Sequence, residues 1–149
     1  MVTSGPLGFS GTLHVFTPDG MSFDDYFDMH DGLSMDEMLL RFAVGVAHGG
    51  THLKYMDTSS VDFSAKAGPS LALACQIASA LVATEVVNLV TGKRPVKAAP
   101  HFSQFDPQTR RYVSGRLRWG NRGPVQRAKM WYVRRFLLAK GEAQRAASA

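Results

Sequence analysis

The distribution of apolar and polar positions divides the chain into segments of different period. In residues 11–16 (GTLHVF), Leu13 and Val15 fall on one side of an extended chain, and His14 and Phe16 on the other. Apolar groups on both sides predict a strand covered on both faces. Pro18 and Gly20 end it, and residues 4–20 (SGPLGFSGTLHVFTPDG) read as a single N-terminal strand running into a turn. Residues 21–32 (MSFDDYFDMHDG) are acidic yet hold Phe23, Tyr26 and Phe27, a pattern expected of an ordered loop that tucks its aromatics beneath itself. A helical period follows. Ser34 and Glu37 form a capping box, and Met35, Met38, Leu39, Phe42, Ala43 and Val46 share one helical face before Gly49 and Gly50 stop it.

After a polar linker at residues 51–67, the period gives way to near-continuous apolarity. Residues 68–95 (GPSLALACQIASALVATEVVNLVTGKRP) predict a long helix over 70–91, opened by Pro69 and closed by Gly92 and Pro95. About 20 apolar residues is also the length of a membrane span. Gln76, Glu85 and Asn88 weigh against that, so a helix buried in a sheet-based core or in a dimer interface is expected, with no transmembrane segment. Period two returns in APHFSQFD and RRYVSGRL, separated by Pro107, Gln108 and Thr109, which predicts a C-terminal β-hairpin. A basic amphipathic helix closes the chain, with Arg127, Lys129, Arg134, Arg135 and Lys140 set among Trp131, Tyr132, Phe136 and Leu137. The fold class expected is therefore α/β: one N-terminal strand, a capped helix, a long buried helix, a hairpin and a basic terminal helix. Residues 1–120 read as one unit and 121–149 as a helix and tail.

Charge and cysteine content sharpen this picture. The net charge of +5 conceals a split. Residues 1–60 hold two basic and eight acidic side chains (net −6), and residues 61–149 fifteen and four (net +11). Such asymmetry fits two halves that face each other, or a basic tail that meets nucleic acid or an anionic membrane; the tail reading is the weaker. A single cysteine, Cys75, excludes an internal disulfide and suits a cytoplasmic protein. Within an apolar helix it is expected to be buried and inert. Asp25, Asp28, Asp31 and Gly32 lack the alternate spacing and closing Glu of a calcium loop, so a solvated acidic loop is expected. His48 and His52 stand at a zinc-like interval, but the intervening glycines break the helix, leaving two surface histidines. Nucleotide-binding glycine motifs and a G-x-S-x-G elbow are absent from the sequence. No catalytic, cofactor-binding or metal-binding residue is assigned.

The order of the segments carries a further signal. Residues 83–92 (ATEVVNLVTG) match a helix pattern A-x-E-[AV]-[VI]-x-[LI]-[LV]-x-G, and Gln104, Phe105 and Asp106 match a strand ending in F-D. Preceded by a strand ending in Phe16, this resembles the C-terminal half of the ThiF/MoeB/ubiquitin-activating-enzyme superfamily over residues 4–117. The resemblance implies part of a ThiF-like (Rossmann-like) domain, from enzymes that use ATP and magnesium to adenylate the C-terminal carboxylate of a ubiquitin-like protein or peptide. It implies no catalytic residue here, because the family's nucleotide loop, ribose-binding acid, ATP-contacting cations and magnesium-binding aspartate all precede the matching region. The family's C-x-x-C zinc pair also has no counterpart in residues 20–29 (GMSFDDYFDM). A truncated, split or misannotated gene product is the expectation, inactive alone and associated with a second copy or a missing N-terminal half; the alternative is a non-catalytic module in which helix 70–91 dimerises and the basic C-terminal helix binds an anionic partner. On this reading Leu13, Val15 and Phe16 await neighbouring strands that the chain does not supply.

Overall fold

The computed structural model describes residues 1–56 and 70–138. The linker at 57–67, Pro69 and Lys140 lie outside the described residues. The architecture is mixed α/β, with five strands in one sheet and every strand pairing antiparallel. The strands are β1 (Val2–Thr3), β2 (Pro6–Leu7), β3 (Ser10–Val15), β4 (His101–Asp106) and β5 (Arg111–Arg116). The helices are α1 (Phe23–Phe27), α2 (Met35–Val46), α3 (Ala72–Thr91) and α4 (Pro124–Tyr132).

The single N-terminal strand is in fact a hairpin. Val2 pairs with Val15, Thr3 with His14, Pro6 with Gly11 and Leu7 with Ser10, all in one register. Gly8 and Phe9 make the two-residue turn, and Gly8 takes φ 57°, the positive value such turns require at their first central position. On its other edge β3 pairs with β4, Gly11 opposite Phe105 and Leu13 opposite Ser103. The chain thus supplies neighbours on both edges of β3, contrary to the expectation that its apolar residues await strands from elsewhere. The β4–β5 hairpin forms as the alternation predicts. Its turn is fastened by Asp106, whose Oδ1 accepts from the Thr109 backbone at 3.0 Å.

The sheet has two differently covered faces. Ser10, Thr12, His14 and Phe16 share one face with Phe102, Gln104 and Asp106, and all are buried. Above them sit α1 and α2. The acidic segment forms a short helix rather than a loop, because Ser22 Oγ caps it by accepting from the Asp25 backbone at 3.0 Å. Tyr26 and Phe27 turn inward, fully buried, against Phe16, Val46 and Ala99. Ser34 caps α2 by accepting from the Glu37 backbone at 3.2 Å. The reciprocal half of the capping box gives way to ion pairing, since the Glu37 carboxylate is taken by Arg41 and Arg134. Within α2 the deepest side chains are Leu40, Val44 and Val46; Met35 is exposed and the remainder of the predicted stripe is half-buried. The burial shifts because α2 is contacted by α1 on one flank and α4 on another.

On the opposite face α3 crosses β3. A Cβ added at Gly11 would lie 3.0 Å from the Ala78 amide nitrogen and 3.1 Å from its Cα, so the glycine lets the helix backbone rest directly on the strand. The helix is entered through a bridge between Ser70 and Gly8, with the Leu71 N–H donating to the Gly8 carbonyl at 3.1 Å. It ends at Gly92, which takes φ 61° as a left-handed cap. Only Ala74, Ala78 and Glu85 of its twenty residues are buried. Of the two expected settings, burial in the chain's own sheet-based core is not met among the described residues: one side of the helix rests on β3 with β1 and β2, and much of the rest is exposed.

Candidate functional site

Three groupings of chemistry-bearing residues emerge, and two of them are structural. The first lies under the covered face of the sheet. Gln104 Nε2 donates to Ser10 Oγ at 2.7 Å and to His52 Nδ1 at 3.2 Å. Ser10 in turn donates to the Leu7 carbonyl at 2.8 Å. Tyr55 donates to Asp106 Oδ2 at 3.1 Å and accepts from the Phe9 backbone at 3.1 Å. Burial pushes the His52 imidazole below its ordinary range, against the opposing pull of Asp106. For Asp106 itself burial pushes upward, but hydrogen bonds from the Thr109 backbone and Tyr55 outweigh it and leave the carboxyl lowered. Although serine, histidine and aspartate meet here, the serine proton is committed to a backbone carbonyl and His52 accepts from an amide. The cluster clamps residues 51–55 onto β3 and β4; it offers no activated nucleophile.

The second grouping joins the acidic and basic halves. Arg122 reaches Asp28 at 3.0 Å and Asp25 at 3.3 Å, while Arg41 pairs with Glu37 at 2.8 Å and also with Asp28. Arg134 joins at Glu37. Beneath the ions, Asn121 Nδ2 donates to the Phe27 and Arg41 carbonyls at 3.0 and 2.7 Å, and Gln126 Nε2 donates to the Val44 carbonyl at 3.3 Å. Of the carboxylates expected in a solvated loop, Asp25 and Asp28 are engaged by arginines, whereas Asp31 is exposed with no ion pair among the described residues. The Asp28 carboxyl is lowered because Arg122 and Arg41 outweigh the upward push of burial. Part of the charge split has its physical meaning here: Arg122 and Arg134 of the basic half pair with Asp25, Asp28 and Glu37 of the acidic half.

His48 and His52 are not a surface pair. His52 is buried in the first cluster; His48 is half-buried, its ring edge-on to Phe102 at 4.6 Å and its Nδ1 3.2 Å from Gln126 Oε1. Among the described residues no group of three potential ligands could hold a metal ion. In the basic terminal helix, Arg134 is tied to Glu37, whereas Arg127 and Arg135 are exposed. Burial lowers the Lys129 ammonium.

The third grouping is the open side of the sheet, and it is the candidate site. The outward surface of α3 presents Leu73, Val86, Val87 and Val90, with Val87 57% and Val90 82% exposed. Cys75 is exposed too, contrary to the burial expected of it, because it lies off the narrow edge that touches β3. The one charged side chain of the helix, Glu85, points inward, 2% exposed, and pairs with Arg94. The outward surface of a helix about 30 Å long therefore carries no charge. Beside it, where α3 leaves β4 and β5 uncovered, a cleft of about 120 Å³ opens over Leu13 and Val15. In length and apolarity α3 would suffice to cross a membrane. Its seat on Gly11 and the Glu85–Arg94 pair place it on the sheet instead. No protein-family model, curated protein or solved structure matches the chain.

Proposed function

We propose that this chain is the C-terminal, non-nucleotide-binding part of a ThiF-like ATP-dependent adenylyltransferase, acting through association rather than by chemistry of its own. The observation that carries the reading is the uncharged outward surface of α3, which water solvates poorly and which a second body would cover. The residues behind the family resemblance also have physical reasons to be what they are. Glu85 of the ATEVVNLVTG segment is the buried acid that holds Arg94, Gly92 is its left-handed cap, and Asp106 closes the β4–β5 turn. An antiparallel sheet has no βα switch point at which a nucleotide crevice forms, in keeping with a part that leaves ATP and magnesium to the other half of the enzyme.

In the isolated chain the occupant of the α3 surface is a second copy, and in the complete enzyme the adenylated group is a ubiquitin-like or peptide carboxylate. The parent would work in the cytoplasm. Calorimetric titration of the isolated chain with magnesium-ATP tests the assignment. No saturable heat beyond that given by sodium phosphate alone is expected, and tight, saturable binding specific to the nucleotide would overturn the assignment.

A further inference from the structure

We propose that the cleft between α3 and the β4–β5 hairpin is a binding site for a small anion bearing a phosphate or carboxylate group. This goes beyond the adenylyltransferase reading and does not depend on it. The cleft is built around Arg94. One nitrogen of its guanidinium is held by the buried Glu85 carboxylate, while the side chain remains 47% exposed at the cleft wall. A guanidinium has five N–H donors in a rigid plane, so a partner on one edge aims the others without consuming them. Among the described residues Glu85 is the only carboxylate lining the cleft, and it is already satisfied by Arg94.

Around that fixed cation stand a second cation and residues whose hydroxyls can donate. Lys97 lines the cleft and has no ion pair among the described residues. His101 donates from Nδ1 to the Ala98 carbonyl at 3.0 Å, so its ring shapes the wall rather than donating to the anion. Ser103 and Ser114 are a cross-strand pair, and both of their hydroxyls line the floor beside Tyr112. The apolar base of Leu13 and Val15 lowers the local dielectric and strengthens each of these interactions. A cleft of about 120 Å³ offers several times the space that one water needs. Net positive charge, an aimed guanidinium and neutral hydroxyl donors together select an anion over a cation or a neutral sugar.

The test is a nitrogen-15 NMR titration of the full chain with sodium phosphate and, in parallel, sodium acetate. Sodium chloride at matched ionic strength is the control. The account expects saturable shifts at the Ser103, Ser114 and Gly115 amides with phosphate or acetate and none that saturate with chloride. The salt that saturates at lower concentration identifies the preferred group. Lys97→Ala should weaken binding about tenfold or more, the worth of one charge-assisted hydrogen bond, and Lys97→Arg should retain it. Arg94→Ala is avoided because it strands Glu85. Shifts that merely follow ionic strength, or saturable binding of equal strength in Lys97→Ala, would overturn the proposal.

Discussion

His14 should make this protein lose stability in mild acid. Its imidazole sits at the centre of the sheet's covered face, 2% exposed, with ring centroids 5.2 Å from Tyr26, 5.8 Å from Phe27 and 6.5 Å from Phe16. Neither ring nitrogen has a hydrogen-bond partner. Burial, with a smaller push from His48, drops its pKa from 6.5 to about 4. A lowered folded-state value means that the unfolded chain binds the proton more readily. The stability contributed by neutral His14 is therefore complete above about pH 6.5 and is lost progressively as the pH falls towards about 4.

The full difference corresponds to about 3 kcal/mol, of which about 2 kcal/mol is gone by about pH 5. That is a large share of the ~5–15 kcal/mol that holds a typical domain together. Urea unfolding followed by far-ultraviolet circular dichroism at about pH 7.5 and about pH 5 would measure it. Tryptophan fluorescence is a poor probe, because Trp119 and Trp131 are both exposed. His14→Leu removes the titrating group and two unpartnered polar atoms. It should match or exceed wild-type stability at the higher pH and lose about 2 kcal/mol less on acidification. His48 and His52, lowered chiefly by burial, leave the variant a residual slope. If His14→Leu lost as much stability as wild type between the two pH values, the reasoning would be refuted.

Other perturbations test the remaining contacts. A Cβ at Gly49 would fall 2.2 Å from Gln104 Oε1, and Gln104 is pinned by Ser10 and His52, so Gly49→Ala should cost about 1–3 kcal/mol in urea unfolding. Arg94→Ala leaves Glu85 buried without its cation and should cost about 1–3 kcal/mol, of which Glu85→Gln in the same chain should restore part. Asn121→Ala removes two bonds to backbone carbonyls that join α1, α2 and the turn before α4, and a loss of about 2–3 kcal/mol is expected by thermal or urea unfolding.

The elements most legible in the sequence were those whose signals are local. The Ser34 cap, the end of α3 at Gly92 and the 101–106/111–116 hairpin each depend on residues within a few positions of one another. Ser22 and Asp25 carried the same kind of signal for α1, and there the aromatic and acidic content pointed to a loop instead. The first hairpin was hidden because β1 and β2 are two residues each, too short for alternation to register. What could not be read was contact across long separations. Gln104 meets Ser10 from 94 positions away, and nothing at either residue announces the other. The exposure of α3 was equally illegible: a helix apolar on nearly all sides reports that it will be covered, but the cover among the described residues is one face of β3 and its short neighbours. Cys75 was misplaced for the same reason. The charge split was informative, but only the structure shows which arginines meet which carboxylates.

The central claim is that the outward face of α3 is an association surface, and sedimentation equilibrium of the purified chain tests it most directly. The account predicts a mass above 16.3 kDa that rises with concentration, and a return to 16.3 kDa when Val87→Lys and Val90→Lys are combined. A wild-type chain that stays at 16.3 kDa throughout would contradict it, as would a larger species that the double substitution leaves intact.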